Sequence, residues 1–313
     1  MKTDTRRSIT TTLYIALSLI VPAALTLSTV KDPVSVIQTS SNPTPLGYTV
    51  SLTLFIFPML LLAWWFLRHA NLSMQKNAFW ISVAVLVPAG ILLDVLFGNS
   101  FFTFGNHNAV LGWTFPAVGG ALPVEELVFY LTGFILVLLI YIWCDEYWLA
   151  AYNIPDYKNM TNDVTRILQF HPMSLVFGVL LIIAGVLYKN FISTGPGGIP
   201  WYYVYLVVVG LTPSSGLFPT VSKFINWRAY TFTSITIVLI SLIWEVTLAL
   251  VYQWWGFRPE VVIGFHINAW NNLPIEEVIL WFAVSYTTII IYEAVKIWKA
   301  SQKPFRQAFM GKK

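Results

Sequence analysis

The chain has 313 residues, of which 57% are hydrophobic and 10% are charged, and its net charge is +4. Soluble globular proteins carry about 25% charged residues, so the composition excludes a soluble domain and indicates a polytopic membrane protein. The single cysteine, Cys144, excludes an internal disulfide and a thiolate metal cluster. The small basic excess follows the predicted membrane topology, and no nucleic-acid partner is expected.

Eight apolar runs are long enough, or nearly so, to cross a hydrocarbon core of ~30 Å, which takes roughly 20 helical residues. Runs 1 to 8 cover 9–29, 47–67, 79–97, 123–144, 172–189, 200–220, 229–251 and 274–297. The sequence therefore predicts an all-α fold of eight transmembrane helices. Run 1 also fits a secretory signal peptide, because a basic start precedes its apolar centre. Run 6 contains TPSSG (Thr212 to Gly216), which predicts a kink or a break in that helix.

The lysines and arginines are distributed unequally between the two sides of these runs. Lys31, Lys189 and Arg258 fall on one side, and the other 15 of the 18 fall on the side that carries both termini. Cytoplasmic loops of membrane proteins are enriched in Lys and Arg. We therefore expect a plasma-membrane protein with both termini in the cytoplasm.

The chain contains an internal repeat with a period of 151 residues. This shift superposes run 2 on run 6, run 3 on run 7 and run 4 on run 8, whereas run 1 matches run 5 loosely. Because matching runs are four apart, both halves have the same orientation, as in a parallel repeat. We predict a first repeat at 1–150, a polar cytoplasmic linker at 151–171, and a second repeat with a basic tail at 172–313.

Six acidic residues occupy matching positions in the two repeats. Adjacent glutamates open runs 4 and 8, within LPVEELVFY and LPIEEVILWF, and a further acid lies near the end of each preceding run. The matching pairs are Asp94 with Glu245, Glu125 with Glu276, and Glu126 with Glu277. Charges at membrane depth cost at least a few kcal/mol each and usually mark function, so all six are candidate catalytic residues. Glu125 and Glu276 fit a structural role at the helix N-terminus equally well.

The duplicated acids resemble those of the membrane-embedded carotenoid cyclases, specifically the two-domain lycopene cyclases. These occur as heterodimers in some bacteria and as fused chains in archaea and fungi. The resemblance lies in LLDVLFG with LPVEELVFY and in WEVTLALVYQWWGF with LPIEEVILWF, and it covers roughly 47–144 and 198–297. The first half departs from a strict duplication between Asp94 and Pro123, and the second half has Glu245 where the first has Asp94. Whether both halves do chemistry therefore stays open.

The resemblance implies a redox-neutral reaction that needs no cofactor. A proton is added to the terminal double bond of a linear polyene, the tertiary cation closes a six-membered ring, and loss of a different proton gives a β-ring. The implied substrates are lycopene and γ-carotene from the lipid bilayer, and the implied partners are other carotenoid enzymes. One protonated carboxyl serves as acid and one carboxylate as base, with aromatic faces that stabilise the cation. Which glutamate takes which role stays open.

Three other classes of membrane protein share part of this pattern. A proton-coupled transporter also uses paired carboxylates and internal repeats, although its acids are expected near the membrane midplane. A retinal-binding opsin needs a lysine deep in its last helix, whereas we expect Lys296 to extend to the cytoplasmic interface. Prenyl transfer needs metal-binding aspartate clusters, which the sequence lacks. Since no G-x-G-x-x-G occurs either, neither a metal site nor a dinucleotide site is expected.

Overall fold

The structure is a computed structural model, and it describes residues 44–69, 75–154, 161 and 163–311. In this part of the chain, seven helices are long and apolar enough to cross a membrane. The prediction of an all-α polytopic membrane protein is thereby confirmed. Run 1, and with it the choice between a first helix and a signal peptide, lies outside the described residues.

The seven spans follow the predicted runs 2 to 8 closely. The first span, Gly47–Arg68, is divided at Leu52 into α1 (Gly47–Ser51) and α2 (Thr53–Arg68). The other helices are α3 (Lys76–Phe101), α4 (Glu125–Trp143), α5 (Pro172–Phe191), α6 (Trp201–Val221), α7 (Trp227–Trp244), α8 (Ile275–Ser301) and the short α9 (Phe305–Met310). Helices α4 and α7 continue into π-helical segments, Cys144–Trp148 and Glu245–Ala249 respectively.

Helix α6 passes through Pro213 and Pro219 without interruption, so a break at TPSSG is not found. The hydroxyl groups of Thr212, Ser214 and Ser215 each donate to a backbone carbonyl of the preceding turn. Membrane helices tolerate proline because neighbouring helices and such hydroxyl groups satisfy the disturbed backbone.

Helices α4 and α8 form the centre of the bundle. Helix α4 packs against α2, α3, α7 and α8, and helix α8 packs against α6, α7, α3 and α4. These contacts occur in pairs that the 151-residue shift relates, since α4 with α7 corresponds to α8 with α3. The centre is filled by buried apolar side chains such as Leu136 and Leu138 of α4 and Ile289 of α8.

Short antiparallel ribbons cover one end of the bundle, which we name the strand face. The described ribbons pair β1 (Phe102–Thr103) with β4 (Gly256–Phe257), β2 (Thr114–Ala117) with β3 (Gly120–Pro123), and β5 (His266–Ile267) with β6 (Leu273–Pro274). The β1–β4 ribbon joins the segment after α3 to the segment after α7, so the two halves are hydrogen-bonded to each other here. Strands β3 and β6 lead into α4 and α8, which places the paired glutamates at this face.

A buried ion cluster lies near the other end of α8, where the sequence predicted an interfacial lysine. Lys296 is 2% exposed, and its Nζ lies 3.3 Å from Asp145 Oδ2 and 3.0 Å from Glu293 Oε1. Tyr141 Oη also donates to Glu293, and Asn226 Nδ2 donates to Asp145. The predicted extension of Lys296 to the interface is therefore wrong, because two carboxylates neutralise the lysine inside the bundle.

Candidate functional site

A cavity of about 390 Å³ lies between the two halves of the bundle, below the strand face. Its walls come mainly from α3, α4, α6, α7 and α8, and most of the lining side chains are aromatic or aliphatic. Among the described residues, the charged side chains that line it are Asp94, Glu126, Glu245 and Glu277. A largely apolar cavity with a few convergent polar groups is the usual form of a small-molecule site.

The four acids reach the cavity because of where their helices begin and end. Glu126 and Glu277 lie in the first turns of α4 and α8, directly below the ribbons of the strand face. Asp94 lies about two turns before the end of α3, and Glu245 directly follows the last residue of α7. Asp94, Glu245 and Glu277 are buried, and Glu126 is half-buried. The repeat therefore delivers two carboxyls from each half to one space.

Each glutamate that enters the cavity from a helix N-terminus accepts a hydrogen bond from a buried tyrosine. Tyr48 Oη donates to Glu126 Oε1 over 2.5 Å, and Tyr202 Oη donates to Glu277 Oε1 over 2.7 Å. Tyr48 lies at the start of α1 and Tyr202 at the start of α6, which are repeat-related spans. The repeat does not predict either tyrosine, since the two are offset by three positions from the 151-residue register.

The acids that come from the ends of α3 and α7 have different surroundings. Glu245 Oε1 accepts a 2.8 Å hydrogen bond from Trp281 Nε1, and its carboxyl lies close enough to Glu277 for a hydrogen bond between the two carboxyls. Such a bond requires a proton on one of them. Asp94 Oδ2, like Glu245 Oε2, is buried without a hydrogen-bond partner among the described residues.

Trp281 was also missed, although the sequence contains a signal for it. Trp281 follows Glu277 by four residues, so both side chains lie on the same face of α8. The 151-residue shift places Tyr130 at the corresponding position of α4, and Tyr130 lines the cavity as well. An aromatic residue one turn after the second glutamate is thus a shared feature of the two halves.

Gly98 provides the space that the Asp94 side chain occupies. A Cβ atom added at Gly98 would lie 2.6 Å from Asp94 Oδ1, so the carboxyl rests against the helix backbone one turn further along α3. The repeat places Ala249 at the position of Gly98, at the end of the π-helical segment that Glu245 begins. Single π-helical turns occur frequently at functional sites. Glu245, the longer of the two acids, begins a π-helical segment. Asp94, the shorter one, rests against a glycine.

Glu125 and Glu276 do not line the cavity. Glu125 Oε1 accepts a hydrogen bond of 2.8 Å from the backbone N–H of Leu111 and another from the Thr49 hydroxyl. Glu276 Oε1 accepts a hydrogen bond of 2.6 Å from the backbone N–H of Ile263. Both carboxyls therefore fix loops of the strand face to the first turns of α4 and α8. Of the six predicted site residues, these two are separated from the other four.

No cluster of three or more His, Cys, Asp or Glu side chains that could hold a metal ion occurs in the described part of the chain. The carboxyls of the cavity face aromatic rings and each other, so the chemistry they offer is proton transfer. Comparison of the chain with known protein families, with curated proteins and with solved structures finds no match.

Proposed function

We propose that the protein is a lycopene cyclase, which closes the linear end groups of a carotenoid polyene into β-rings by proton transfer. The observation that carries the proposal is the convergence of Asp94, Glu126, Glu245 and Glu277 on one largely aromatic cavity inside a membrane protein. A hydrocarbon substrate has no polar group to bind, so apolar walls suit it. Carboxyl groups set in such walls can add a proton to an alkene and remove one from a carbocation.

The proposed reaction conserves every atom and electron. A protonated carboxyl adds its proton to the terminal double bond, which leaves a tertiary carbocation. The π electrons of a double bond further along the chain form the new carbon–carbon bond, which closes the six-membered ring. The positive charge then lies on a carbon of this ring. A carboxylate then takes a proton from the adjacent ring carbon, and the C–H electrons form the new double bond. The product is an isomer of the substrate, so neither an oxidant nor a reductant is consumed.

Aromatic rings line the cavity beside the carboxyls. The rings of Phe129 and Trp244 are stacked with their centroids 5.8 Å apart, and the Trp281 ring meets Phe129 edge-on at 5.6 Å. Aromatic faces attract a cation electrostatically without forming a bond to it. Among the described lining residues there is no lysine, histidine or cysteine that would trap the cation as a nucleophile.

The difference between the two carboxyl pairs supports a division of roles. Glu245 and Glu277 lie within hydrogen-bonding reach of each other, a bond between two carboxyls requires a proton, and this proton would be the one delivered to the substrate. The charge left behind is stabilised by the donors Trp281 and Tyr202. We assign the acid to this second pair. The base is then Glu126 or Asp94 in the first half, and the proton it takes returns to the second pair between turnovers.

Proton-coupled transport is the second candidate, and one feature favours it. Ser241 of α7 and Ser285 and Thr288 of α8 have buried hydroxyl groups without a hydrogen-bond partner among the described residues. By helical spacing, Ser241 lies on the same side of α7 as Glu245, and Ser285 and Thr288 lie on the same side of α8 as Trp281. The hydrogen bond from Trp281 to Glu245 joins these two sides. These hydroxyls form a polar seam from the cavity towards the ion cluster of Lys296. The aromatic cavity favours the cyclase, since a polar solute would find few hydrogen-bond partners there.

Expression in cells that accumulate lycopene tests the cyclase directly. We expect a colour shift and cyclised products by chromatography, and we expect both to disappear in the Glu277→Gln variant while the protein level is maintained. Purified protein in liposomes that contain a pH-sensitive dye tests the transporter. Proton flux above that of empty liposomes, together with unchanged lycopene in the cells, would contradict the proposal and support transport.

A further inference from the structure

We infer that the cavity has one lateral entrance in the described part of the chain, between α3 and α6, through which a linear polyene enters end-first from the hydrocarbon of the membrane. The inference rests on the proposed function, because that function supplies the ligand. Its evidence is a difference between the α3–α6 side of the cavity and the repeat-related α2–α7 side.

The α3–α6 side reaches the surface of the bundle. Val85 and Ala89 of α3 and Thr212 of α6 line the cavity and are also exposed at the surface, Val85 to 49%. The two helices meet near the strand face, where the rings of Phe97 and Tyr205 have their centroids 5.6 Å apart. Deeper in the bundle, both helices pack against α8 instead of against each other. The cavity therefore opens sideways at a depth where lipid surrounds the protein.

The α2–α7 side is closed by an aromatic plug, which consists of Phe55, Trp244 and Trp255. Trp244 lies at its centre and is 2% exposed. Its ring centroid lies 5.0 Å from that of Phe55 and 4.6 Å from that of Trp255. Trp244 Nε1 also donates a 2.9 Å hydrogen bond to Ser51 Oγ. This bond fixes the indole across the space between α7 and the helix pair α1–α2.

The residues at the matching positions of the open side are smaller. The 151-residue shift places Leu93 at the position of Trp244 and Leu206 at the position of Phe55. Both leucines line the cavity, and neither side chain extends as far as the aromatic ring that replaces it. Two of the three plug rings are therefore replaced by leucine on the open side, which leaves more space there.

The chemistry of the entrance selects an apolar chain. Among the described residues that line it, Val85, Ala89, Leu93 and Phe97 are apolar and Thr212 is uncharged. With one entrance, the remainder of a long polyene stays in the lipid while its leading end lies beside the carboxyls. Each turnover then closes one ring, and the molecule must leave and turn round before its second end reacts. We therefore expect a product with one ring to accumulate before the product with two rings.

The Leu93→Trp variant tests the entrance, because it copies the plug into the open side. We expect the cyclisation rate in lycopene-containing liposomes to fall at least ~10-fold, which corresponds to about 1.4 kcal/mol. The matched control is Leu92→Trp, since Leu92 is the next residue, is 57% exposed and does not line the cavity. The control should keep the wild-type rate.

A measurement of bound lycopene separates failure of the entrance from failure of the proposed function. The Glu277→Gln protein should retain lycopene without converting it, and its visible absorbance after gel filtration gives the bound amount. Adding Leu93→Trp should lower this amount, and adding Leu92→Trp should not. A Leu93→Trp enzyme that cyclises at the wild-type rate would overturn the entrance and leave the function intact. If the wild type binds lycopene through the entrance but does not convert it, the function is overturned and the entrance stands. If the wild type neither binds nor converts lycopene, both proposals are overturned.

Discussion

The two carboxyl pairs of the cavity occupy the same positions of the repeat and yet differ in their contacts. In the second half, Glu245 and Glu277 lie within hydrogen-bonding reach of each other, and Glu245 also accepts from Trp281. In the first half, Glu126 accepts from Tyr48, and Asp94 Oδ2, like Glu245 Oε2, has no hydrogen-bond partner among the described residues. The two pairs also differ in length, since Glu245 is one methylene longer than Asp94. On the proposed function, this difference would let a duplicated site hold an acid and a base in one space.

The largest expected effect comes from breaking the second pair. The Glu277→Gln and Glu245→Gln variants keep the size of the side chain and remove its ability to deliver a proton. General acid catalysis contributes about 10²–10⁴-fold, so we expect cyclisation to fall by about that factor with lycopene as the only carotenoid present. Product chromatography at matched protein levels measures this. Wild-type turnover in both variants would show that the second pair is not the acid.

Breaking the first pair should change the products as well as the rate. In the Asp94→Asn and Glu126→Gln variants the carbocation still forms, but its deprotonation is impaired. We expect a smaller loss, about 10-fold or more, together with ring isomers or hydroxylated end groups that arise when another base or water intercepts the cation. Mass spectrometry and chromatography of the carotenoids identify them. If these variants simply stop at lycopene, the assignment of acid and base between the halves is wrong.

The Gly98→Ala variant tests the position of the first pair, since it moves Asp94 without removing it. The added Cβ would lie 2.6 Å from Asp94 Oδ1, so the carboxyl must leave its present position. A displacement of about 1 Å can cost up to ~100-fold in rate, and we expect a loss of roughly 10-fold. The matched control is Ala249→Gly at the repeat-related position, which should change the rate less than Gly98→Ala does. Equal effects of the two changes would indicate general helix destabilisation.

The smallest effect on the chemistry is expected from Glu125→Ala. This carboxyl binds the Leu111 N–H and the Thr49 hydroxyl, and loss of a buried hydrogen-bond partner costs about 1–3 kcal/mol. The midpoint of thermal unfolding should fall, while the protein that remains folded should cyclise at close to the wild-type rate. A loss of rate as large as that of Glu277→Gln, at an unchanged midpoint of unfolding, would show that Glu125 takes part in catalysis.

The spans were predictable from the sequence because the length of an apolar run is a local property. The repeat marked six acids as candidates, and four of them line one cavity. The separation of Glu125 from Glu126 was not predictable, because it depends on the path of the loop that carries Leu111. Adjacent residues on a helix point about 100° apart, but the sequence does not reveal which of the two directions leads into a cavity.

The contacts of Tyr48, Tyr202 and Lys296 could not be predicted by a search for similar residues at matching positions of the repeat. Tyr48 and Tyr202 make equivalent bonds from positions that differ by three from strict register, so a search for matching positions does not find them. The burial of Lys296, by contrast, has a signal in the repeat. The 151-residue shift places Asp145 at the position of Lys296, and these two opposite charges meet as an ion pair. Matching positions can therefore carry complementary residues as well as similar ones.

The most direct test of proton-driven ring closure is the reaction of purified protein with lycopene in lipid, prepared in D₂O without any added redox cofactor. The account predicts a cyclic product that has taken up one deuterium per ring and is otherwise an isomer of lycopene. The same reaction in H₂O should give a product of unchanged mass. A product that gains or loses hydrogen, a ring formed without deuterium, or unchanged lycopene at full occupancy of the protein would contradict proton-driven cyclisation by the carboxyls of this cavity.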